Sequence, residues 1–255
     1  MNILSNLGTL GSGLVGLGVV LFSSILMLGL SYLRRKSPPI VREIPAYTRL
    51  RRAVGRVVED GTRLHVSLGR GGLATPQSAS ALAGLTMLRR LAELTSAGDQ
   101  PPIATSGDAA LTILSQDTLQ TASKASAHGV YDPTAGRLTG ITPFSYAAGA
   151  IPAIRDENVS ANVLMGNFGV EVALLTDAAE RADSFVLAGS DSLAAQSVIY
   201  ASAGEPLIGE ELYAAGAYTD AGPLHTASLT VQDVLRWMVI AVILGGAVLK
   251  LAGVR

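Results

Sequence analysis

The sequence predicts an α/β domain, a Rossmann-like three-layer fold with a mostly parallel sheet, flanked by one N-terminal and one C-terminal transmembrane helix. First, 49% of the 255 residues are hydrophobic and only 15% are charged, against about 25% charged in an average soluble domain. Second, two long apolar runs frame a central region. Third, short β-like runs alternate in that region with longer Ala- and Leu-rich runs, as in parallel strands joined by helices.

The first apolar run, residues 9–33, contains no charged residue. It is long enough to cross a bilayer core of about 30 Å as a helix, so we expect a transmembrane helix within residues 1–33. A cleaved signal peptide is the alternative, but residues 1–8 carry no Lys or Arg and the apolar run is long for such a peptide. Gly8, Ser12 and Gly16 recur at every fourth position, a spacing that lets two helices approach closely in lipid. The alternative is a generally glycine-rich span, because other glycines lie on other faces of the helix.

The second apolar run, residues 237–254, predicts a transmembrane helix within residues 232–255. Arg236 and Trp237 stand where an interfacial anchor belongs, and the long side chain of Lys250 can reach the interface. Because the stretch without a charge is short, a buried core helix is the alternative.

A basic juxtamembrane segment, residues 34–56, follows the first run. It holds one acidic residue and eight basic ones: Arg34, Arg35, Lys36, Arg42, Arg49, Arg51, Arg52 and Arg56. By the positive-inside rule, this excess of positive charge predicts a protein of the inner (cell) membrane whose central domain lies in the cytoplasm and whose termini both lie outside. Either Arg34, Arg35 and Lys36 also bind anionic lipid headgroups, or the segment is a topology signal alone. The rest of the chain has 11 basic and 19 acidic residues, which argues against a nucleic-acid partner.

The predicted cytosolic α/β domain covers residues 57–231. Its clearest unit is a strand at 63–68, a glycine-rich turn at 69–74 and a helix at 76–94 with Thr75 as N-cap and Pro76 at the first position. The elements that follow are strand 102–105, helix 108–127, a turn-rich stretch with a short strand at 131–143, helix 144–155, strand 158–165, helix 170–182, strand 184–188, helix 193–202 and helix 209–218.

Glycine and small polar or charged residues recur where predicted strands pass into helices. They are Ser67, Gly69, Arg70, Gly71 and Gly72 after the first strand, Ser106 and Asp108 after the second, Asn167 after the fourth, and Ser190 and Asp191 after the fifth. In a parallel sheet these turns meet at the carboxyl edge, where ligands bind and helix N-termini favour anions. The pattern Gly69-x-Gly71-x-x-Ala74 fits a relaxed dinucleotide fingerprint, but the acidic residue expected about 20 positions later is missing. Two interpretations stay open, a nucleotide or small-anion site and ordinary turns with helix caps.

Several chemistries find no support in the sequence. The chain has no cysteine, and its three histidines (His65, His128, His225) are too far apart to form a metal-binding motif. The nucleophile-elbow, P-loop and HExxH signatures are missing. His65 and Ser67 share one strand face and are expected to be half-buried, while the adjacent carboxylates Asp156 and Glu157 are expected to be solvated. No cofactor is required.

Three stretches resemble a family of uncharacterised bacterial two-pass membrane proteins, classed as a domain of unknown function. They are residues 63–72 (RLHVSLGRGG), 105–108 (TSGD) and 209–218 (GEELYAAGAY). The resemblance extends over almost the whole chain, including both apolar runs. It implies no catalytic residue, substrate or cofactor.

These observations favour a membrane-anchored structural or assembly protein whose cytosolic domain self-associates into a homo-oligomer at the lipid bilayer. The alternative is a membrane-tethered sensor or binding domain for a nucleotide or small anion at the strand edge. An enzyme using Asp108, Asp191 or His65 as acid or base is less favoured, because no partner geometry accompanies these residues.

Overall fold

The structure is a computed structural model that describes residues 2–33, 42–96, 98–125 and 131–251, with the side chains of the first helix described from Gly13 to Tyr32. Arg34, Arg35, Lys36 and His128 therefore lie outside the described residues, as do the side chains of Gly8 and Ser12. The elements are α1 (Asn2–Leu33), α2 (Pro45–Glu59), β1 (Arg63–Gly69), α3 (Ser78–Thr95), β2 (Ile103–Ser106), α4 (Ala109–Ala125), β3 (Gly136–Leu138), α5 (Pro143–Arg155), β4 (Val159–Asn167), α6 (Val172–Arg181), β5 (Phe185–Ser190), α7 (Leu193–Ser202), β6 (Glu205–Leu207), α8 (Glu211–Tyr218) and α9 (Pro223–Leu251).

The strands form one parallel sheet, which confirms the predicted α/β class. Within the described part of the chain its order is β3-β2-β1-β4-β5-β6, and each neighbouring pair is parallel. This is the strand order of the dinucleotide-binding Rossmann fold. The chain moves outward from β1 to β3, returns through α5 to place β4 beside β1, and then moves outward on the other side.

Helices cover both faces of the sheet, as three-layer packing requires. The core under α2, α3, α4 and α8 takes Val163 and Met165 from β4, whereas the core under α5, α6 and α7 takes the intervening Leu164. Gly84 lets α3 lie close to the sheet, because a Cβ there would stand 2.2 Å from the carbonyl oxygen of Met165.

The α/β body begins earlier than predicted. It is a compact unit from Arg42 to Ala221, rather than 57–231, because α2 belongs to it. One face of α2 buries Tyr47, Leu50 and Val54, while its arginines lie largely on the other face. Part of the predicted basic juxtamembrane segment is therefore an amphipathic helix of the body. The sequence also did not predict the short edge strand β6.

The start of α3 was predicted wrongly. Thr75 does not cap the helix; its hydroxyl donates to the carbonyl of Gly72 at 2.7 Å, and Gln77 holds the N-cap position without a side-chain cap. Pro76 therefore lies in the loop. The loop between β1 and α3 consists of residues 70–77, much longer than the turn of a dinucleotide fingerprint, where the helix begins within the glycine motif.

The helices α1 and α9 form a second compact unit and contact each other. Gly13–Tyr32 and Leu224–Leu251 are long and apolar enough to cross a membrane by length and composition, and neither window is buried. The core-helix alternative for the second run is thus wrong. With 29 residues, α9 begins well before the predicted boundary at residue 232 and is about 43 Å long.

Candidate functional site at the carboxyl edge of the sheet

The predicted turns meet at the carboxyl edge, around the point where the strand order reverses. There β1 and β4 lie side by side, and Gly69 pairs with Asn167 in their register. The turn after β2 flanks this point on one side and the turn after β5 on the other. In open α/β sheets this is the position of ligand crevices.

The turn after β1 is packed tightly against the end of β4. Gly69 adopts φ +72°, and a Cβ there would lie 2.3 Å from the carbonyl oxygen of Asn167, so only glycine fits. The N–H of Arg70 donates to that carbonyl at 2.8 Å, and the N–H of Gly107 donates to the carbonyl of Gly69 at 2.9 Å. Gly71 also faces Asn167, since a Cβ added at Gly71 would lie 3.0 Å from the Cβ of Asn167. The turns after β1, β2 and β4 are therefore joined by backbone contacts.

Arg70, the expected phosphate partner, is paired with a carboxylate of the chain. Its Nε lies 3.0 Å from Oε1 of Glu171, whose side chain is only 2% exposed. The N–H of Gly169 donates to the same oxygen at 2.9 Å. Burial alone would raise the pKa of Glu171, but the hydrogen bonds from Gly169 and Arg70 lower it below its usual value. Glu171 is thus an ionised group that sequence reasoning missed, since nothing in the local pattern sets it apart from a surface glutamate.

The two predicted aspartates also bind groups of the chain. Oδ1 of Asp108 accepts the N–H of Leu111 at 2.9 Å and so caps α4. Asp191 accepts from the hydroxyl of Ser80 at 2.8 Å and from the amide of Asn167 at 2.7 Å. Because Ser80 lies in the first turn of α3, the Asp191 carboxylate stands beside the start of that helix, where an anion was expected.

The predicted serines serve the turns themselves. The hydroxyl of Ser106 hydrogen-bonds with that of Thr112 at 2.5 Å, and the hydroxyl of Ser190 accepts the N–H of Phe168 at 3.0 Å. The hydroxyl of Ser67 hydrogen-bonds with that of Tyr146 on α5. Among the described residues, every buried side-chain N or O atom has a hydrogen-bond partner.

A row of buried polar side chains crosses the central strands β2, β1 and β4. His65 and Ser67 are fully buried, so the half-buried expectation was wrong. Nδ1 of His65 lies 2.9 Å from Oδ1 of Asn162, and Nε2 lies 2.9 Å from Oγ1 of Thr105. The amide of Asn162 donates to Ser184 at 2.8 Å, so its oxygen accepts from Nδ1–H and leaves Nε2 to accept from Thr105.

Tyr146 of α5 links this row of polar side chains to the glycine turn after β1. Its hydroxyl lies 2.5 Å from that of Ser67 and accepts the N–H of Gly69 at 3.2 Å, and the Thr105 side chain lies near enough to interact with it. Burial raises the pKa of Tyr146 and lowers that of His65 to about 4, so both are uncharged at neutral pH. In the sequence, only the polar residues at alternate positions of β1 indicated that such a row of buried polar side chains would form.

At the amino edge of the sheet, opposite this site, two arginines pair with Glu157, a carboxylate that was expected to be solvated. Glu157 accepts from Arg63 at 2.9 Å and from both terminal nitrogens of Arg137. Its side chain is 23% exposed. The prediction of a solvated carboxylate was therefore wrong for Glu157. In the described ranges, no group of His, Asp and Glu is arranged to hold a metal ion.

One of the three small residues predicted to form a packing face of α1 has a described environment. A Cβ at Gly16 would meet no atom within 4 Å, and the same holds at Gly13. The glycine face around Gly16 is therefore not used in the contact between α1 and α9.

A family model for the domain of unknown function DUF6754 matches residues 10–255. The chain belongs to the DUF6754 family. The match covers the α/β body and both apolar helices, so the family comprises this whole architecture and not the sheet alone. No curated protein and no solved structure matches the chain.

Proposed function

We propose that this DUF6754 protein is a membrane-anchored structural or assembly protein whose α/β domain self-associates. One contrast supports this most. The polar groups of the strand edge are bound by other groups of the chain, whereas large apolar side chains lie on the outside of the body. Those exposed by more than half are Ile113, Ile141, Phe144, Val170, Leu193 and Tyr200. Exposed apolar groups of this kind indicate protein contacts more than small-ligand binding.

Anchoring is the first part of the proposal. The two apolar helices cross the bilayer, and the basic segment after α1 keeps the body on the cytoplasmic side of a bacterial inner membrane, with both termini outside. The contacts at the two ends of the body support a common exit. The hydroxyl of Tyr218 donates to the carbonyl of Arg42, and the rings of Tyr47 and Tyr218 stack at 5.0 Å.

Topology can be tested with single cysteines, because the chain has none of its own. In intact cells, a membrane-impermeant maleimide should label Asn2→Cys but not Asp60→Cys, which lies in the exposed turn after α2. Asp60→Cys should react once the membrane is permeabilised. Labelling of Asp60→Cys in intact cells would show that the body lies outside and would refute the proposed orientation.

Lateral contact between α1 helices is the second part. The open space at Gly16 and Gly13 supports a close approach by another helix in lipid. The basic residues Arg34, Arg35 and Lys36 would then concentrate anionic lipid headgroups around the assembly.

The mass of the full-length protein in mild detergent tests self-association. Light scattering should give a particle of at least two chains that persists on dilution, with no small molecule in stoichiometric amount. A single chain at every concentration would refute the assembly function.

A binding domain for a nucleotide or small anion is the second candidate, and the strand order favours it. The Gly69 turn lies at the switch point between β1 and β4, where such ligands bind in this fold. Because the edge carries Asp108, Glu171 and Asp191, the ligand would need Mg²⁺ to offset their charge.

Thermal unfolding separates this candidate from the first. Nucleotides with Mg²⁺ should raise the unfolding temperature of the wild type and of Arg137→Ala, whose arginine pairs with Glu157 at the opposite edge. The rise should be lost in Arg70→Ala. No rise with any nucleotide, with or without Mg²⁺, would remove this function.

A further inference from the structure

The outer surface of α5, α6 and α7 is poor in charge along α5 and α7. We call it the α5–α7 face. Helix α7 contains no Asp, Glu, Lys or Arg, and in α5 the one charged residue is the last, Arg155. A solvent-facing helix normally carries charged residues on its outer side. On the other side of the sheet, α2 does so with its arginines.

The exposed apolar side chains of this face line up on neighbouring helices. On α7, Leu193 and Tyr200 are 80% and 74% exposed and lie two turns apart on one side. On α6, Leu174 is 42% exposed, and Val170, just before the helix, is 55% exposed. Phe144 at the start of α5 is 65% exposed. Since α6 packs against both α5 and α7, these side chains lie on neighbouring helices of one layer.

This surface has the size of one side of a stable interface. The exposed fractions of these five side chains add up to about three fully exposed ones, or on the order of 500 Å² of apolar surface at roughly 150–200 Å² each. A standard interface buries about 800 Å² on each partner, of which about 60% is apolar. The apolar area therefore agrees with that of a protein partner of ordinary size.

The charges favour a second copy of the chain as that partner. From Arg42 to Ala221 the body has 13 basic and 19 acidic residues, a net charge of −6, so two bodies repel over most of their surface. The helices of the α5–α7 face carry two basic and two acidic residues: Arg155, Asp177, Glu180 and Arg181. Arg181 bonds Asp177 at 2.8 Å, and Arg155 lies near enough to attract the same carboxylate. The exposed residues Asp156 and Asp183, which follow α5 and α6, add two acidic charges at one end of the face. Two such faces still carry a small net charge and meet with less repulsion than the rest of the body, whereas a strongly charged partner finds little to pair with.

We propose that two copies pair through their α5–α7 faces about a two-fold axis beside α6, an inference that rests on the proposed self-association. Two-fold pairing is the commonest way for a chain to bind itself, and residues near the axis then meet their own copies. Because α6 is the middle helix of the face, an axis beside it gives the largest overlap. Leu174 of one copy then lies against Leu174 of the other.

Cysteine cross-linking in the native membrane tests the axis. The full-length Leu174→Cys variant should form a covalent dimer on mild oxidation, since a disulfide needs Cα atoms within about 7 Å of each other. Ile113→Cys is the matched control, because Ile113 is 65% exposed on α4, in the other helix layer. It should stay monomeric under the same conditions. Equal cross-linking of the two variants would overturn the proposal.

Charge insertion tests the face itself, independently of the exact axis. The double variant Phe144→Glu, Leu193→Glu places four carboxylates in the paired interface and should lower the mass seen by light scattering in mild detergent. Both side chains are mostly exposed, so the fold should not change, which circular dichroism can verify. Ile113→Glu should keep the wild-type mass.

The outcomes separate this inference from the function on which it rests. A wild-type oligomer whose mass the double variant leaves unchanged would refute the α5–α7 pairing and leave self-association in place. A wild-type monomer would refute both. Protection of Leu174→Cys from maleimide in membranes without a covalent dimer would assign the face to another protein or to lipid, which also overturns the proposal.

Discussion

Mild acid should weaken the α/β body because His65 is fully buried without a charge. Its two ring nitrogens contact Asn162 and Thr105, both at 2.9 Å, and burial lowers its pKa from 6.5 to about 4. In the unfolded chain the imidazole is free in water and titrates near 6.5. Between these two pKa values the unfolded state binds a proton that the folded state does not.

The sign and size of the effect follow from proton linkage. The folded pKa is the lower one, so the stability that His65 contributes is complete above about pH 6.5 and is lost as the pH falls towards 4. The free energy of unfolding should fall by about 2 kcal/mol between pH 7.5 and 5, and by about 3 kcal/mol at pH 4. Glu171, whose pKa is lowered, adds its own loss only from about pH 4.5 downward. Glu171 therefore does not contribute in the range from pH 7.5 to 5.

Urea unfolding of the full-length protein in mild detergent measures this loss. The one tryptophan, Trp237, lies in α9 and does not report on the body, so tyrosine fluorescence and far-ultraviolet circular dichroism are the appropriate signals. His65→Gln removes the titrating group and should nearly abolish the change between pH 7.5 and 5, whatever its own stability. A slope in His65→Gln as steep as in the wild type would refute the assignment to His65.

Two further pairs of variants test the packing of the body, with the free energy of unfolding in urea as the measurement. Gly84→Ala should destabilise by about 1–3 kcal/mol, since its Cβ would stand 2.2 Å from a carbonyl oxygen of β4. Gly55→Ala in α2, where a Cβ meets no atom within 4 Å, should stabilise by about 0.5–1 kcal/mol; effects of the same sign would contradict the close approach of α3. Tyr146→Phe should cost about 1–3 kcal/mol, because the buried groups of β1 that its hydroxyl contacts lose their partner. Tyr200→Phe, at a side chain that is 74% exposed, should stay within about 0.5 kcal/mol of the wild type. No loss in Tyr146→Phe would show that its hydroxyl is not needed.

The sequence was sufficient for the fold class and for most elements, because its patterns are local. Helix α7 begins and ends at Leu193 and Ser202 as predicted, and the interior Pro152 does not prevent α5 from reaching Arg155. The start of α3 was wrong because Thr75 and Pro76 fit a helix start equally well, and only tertiary contacts place them in a longer loop. Helix α2 was missed because the arginines of its exposed face gave residues 34–56 the composition of a basic juxtamembrane segment.

The same distinction applies to the candidate site, whose position could be predicted from the sequence but whose side-chain contacts could not. That the predicted residues would gather at one edge followed from the parallel topology alone. Which groups they would bind did not, because pairs such as Arg70 with Glu171, or Asn167 with Asp191, join residues 24 to 101 positions apart. Sequence spacing carries no information on such pairs. The same reason explains why Glu157 was expected to be solvated when two arginines in fact hold it.

The side-chain contacts at the carboxyl edge also explain why we propose self-association ahead of binding a nucleotide or small anion. Asp108 caps α4, and Asp191 stands at the start of α3, so carboxylates of the chain already take the favourable positions that helix N-termini offer to an anion. An incoming phosphate would meet three carboxylates and one arginine, and that arginine already pairs with Glu171. Such a ligand must break contacts before it can bind, or bring a cation with it. The α5–α7 face needs no such change, since its apolar side chains already lie outside. Self-association is therefore the function that this structure could perform without rearrangement.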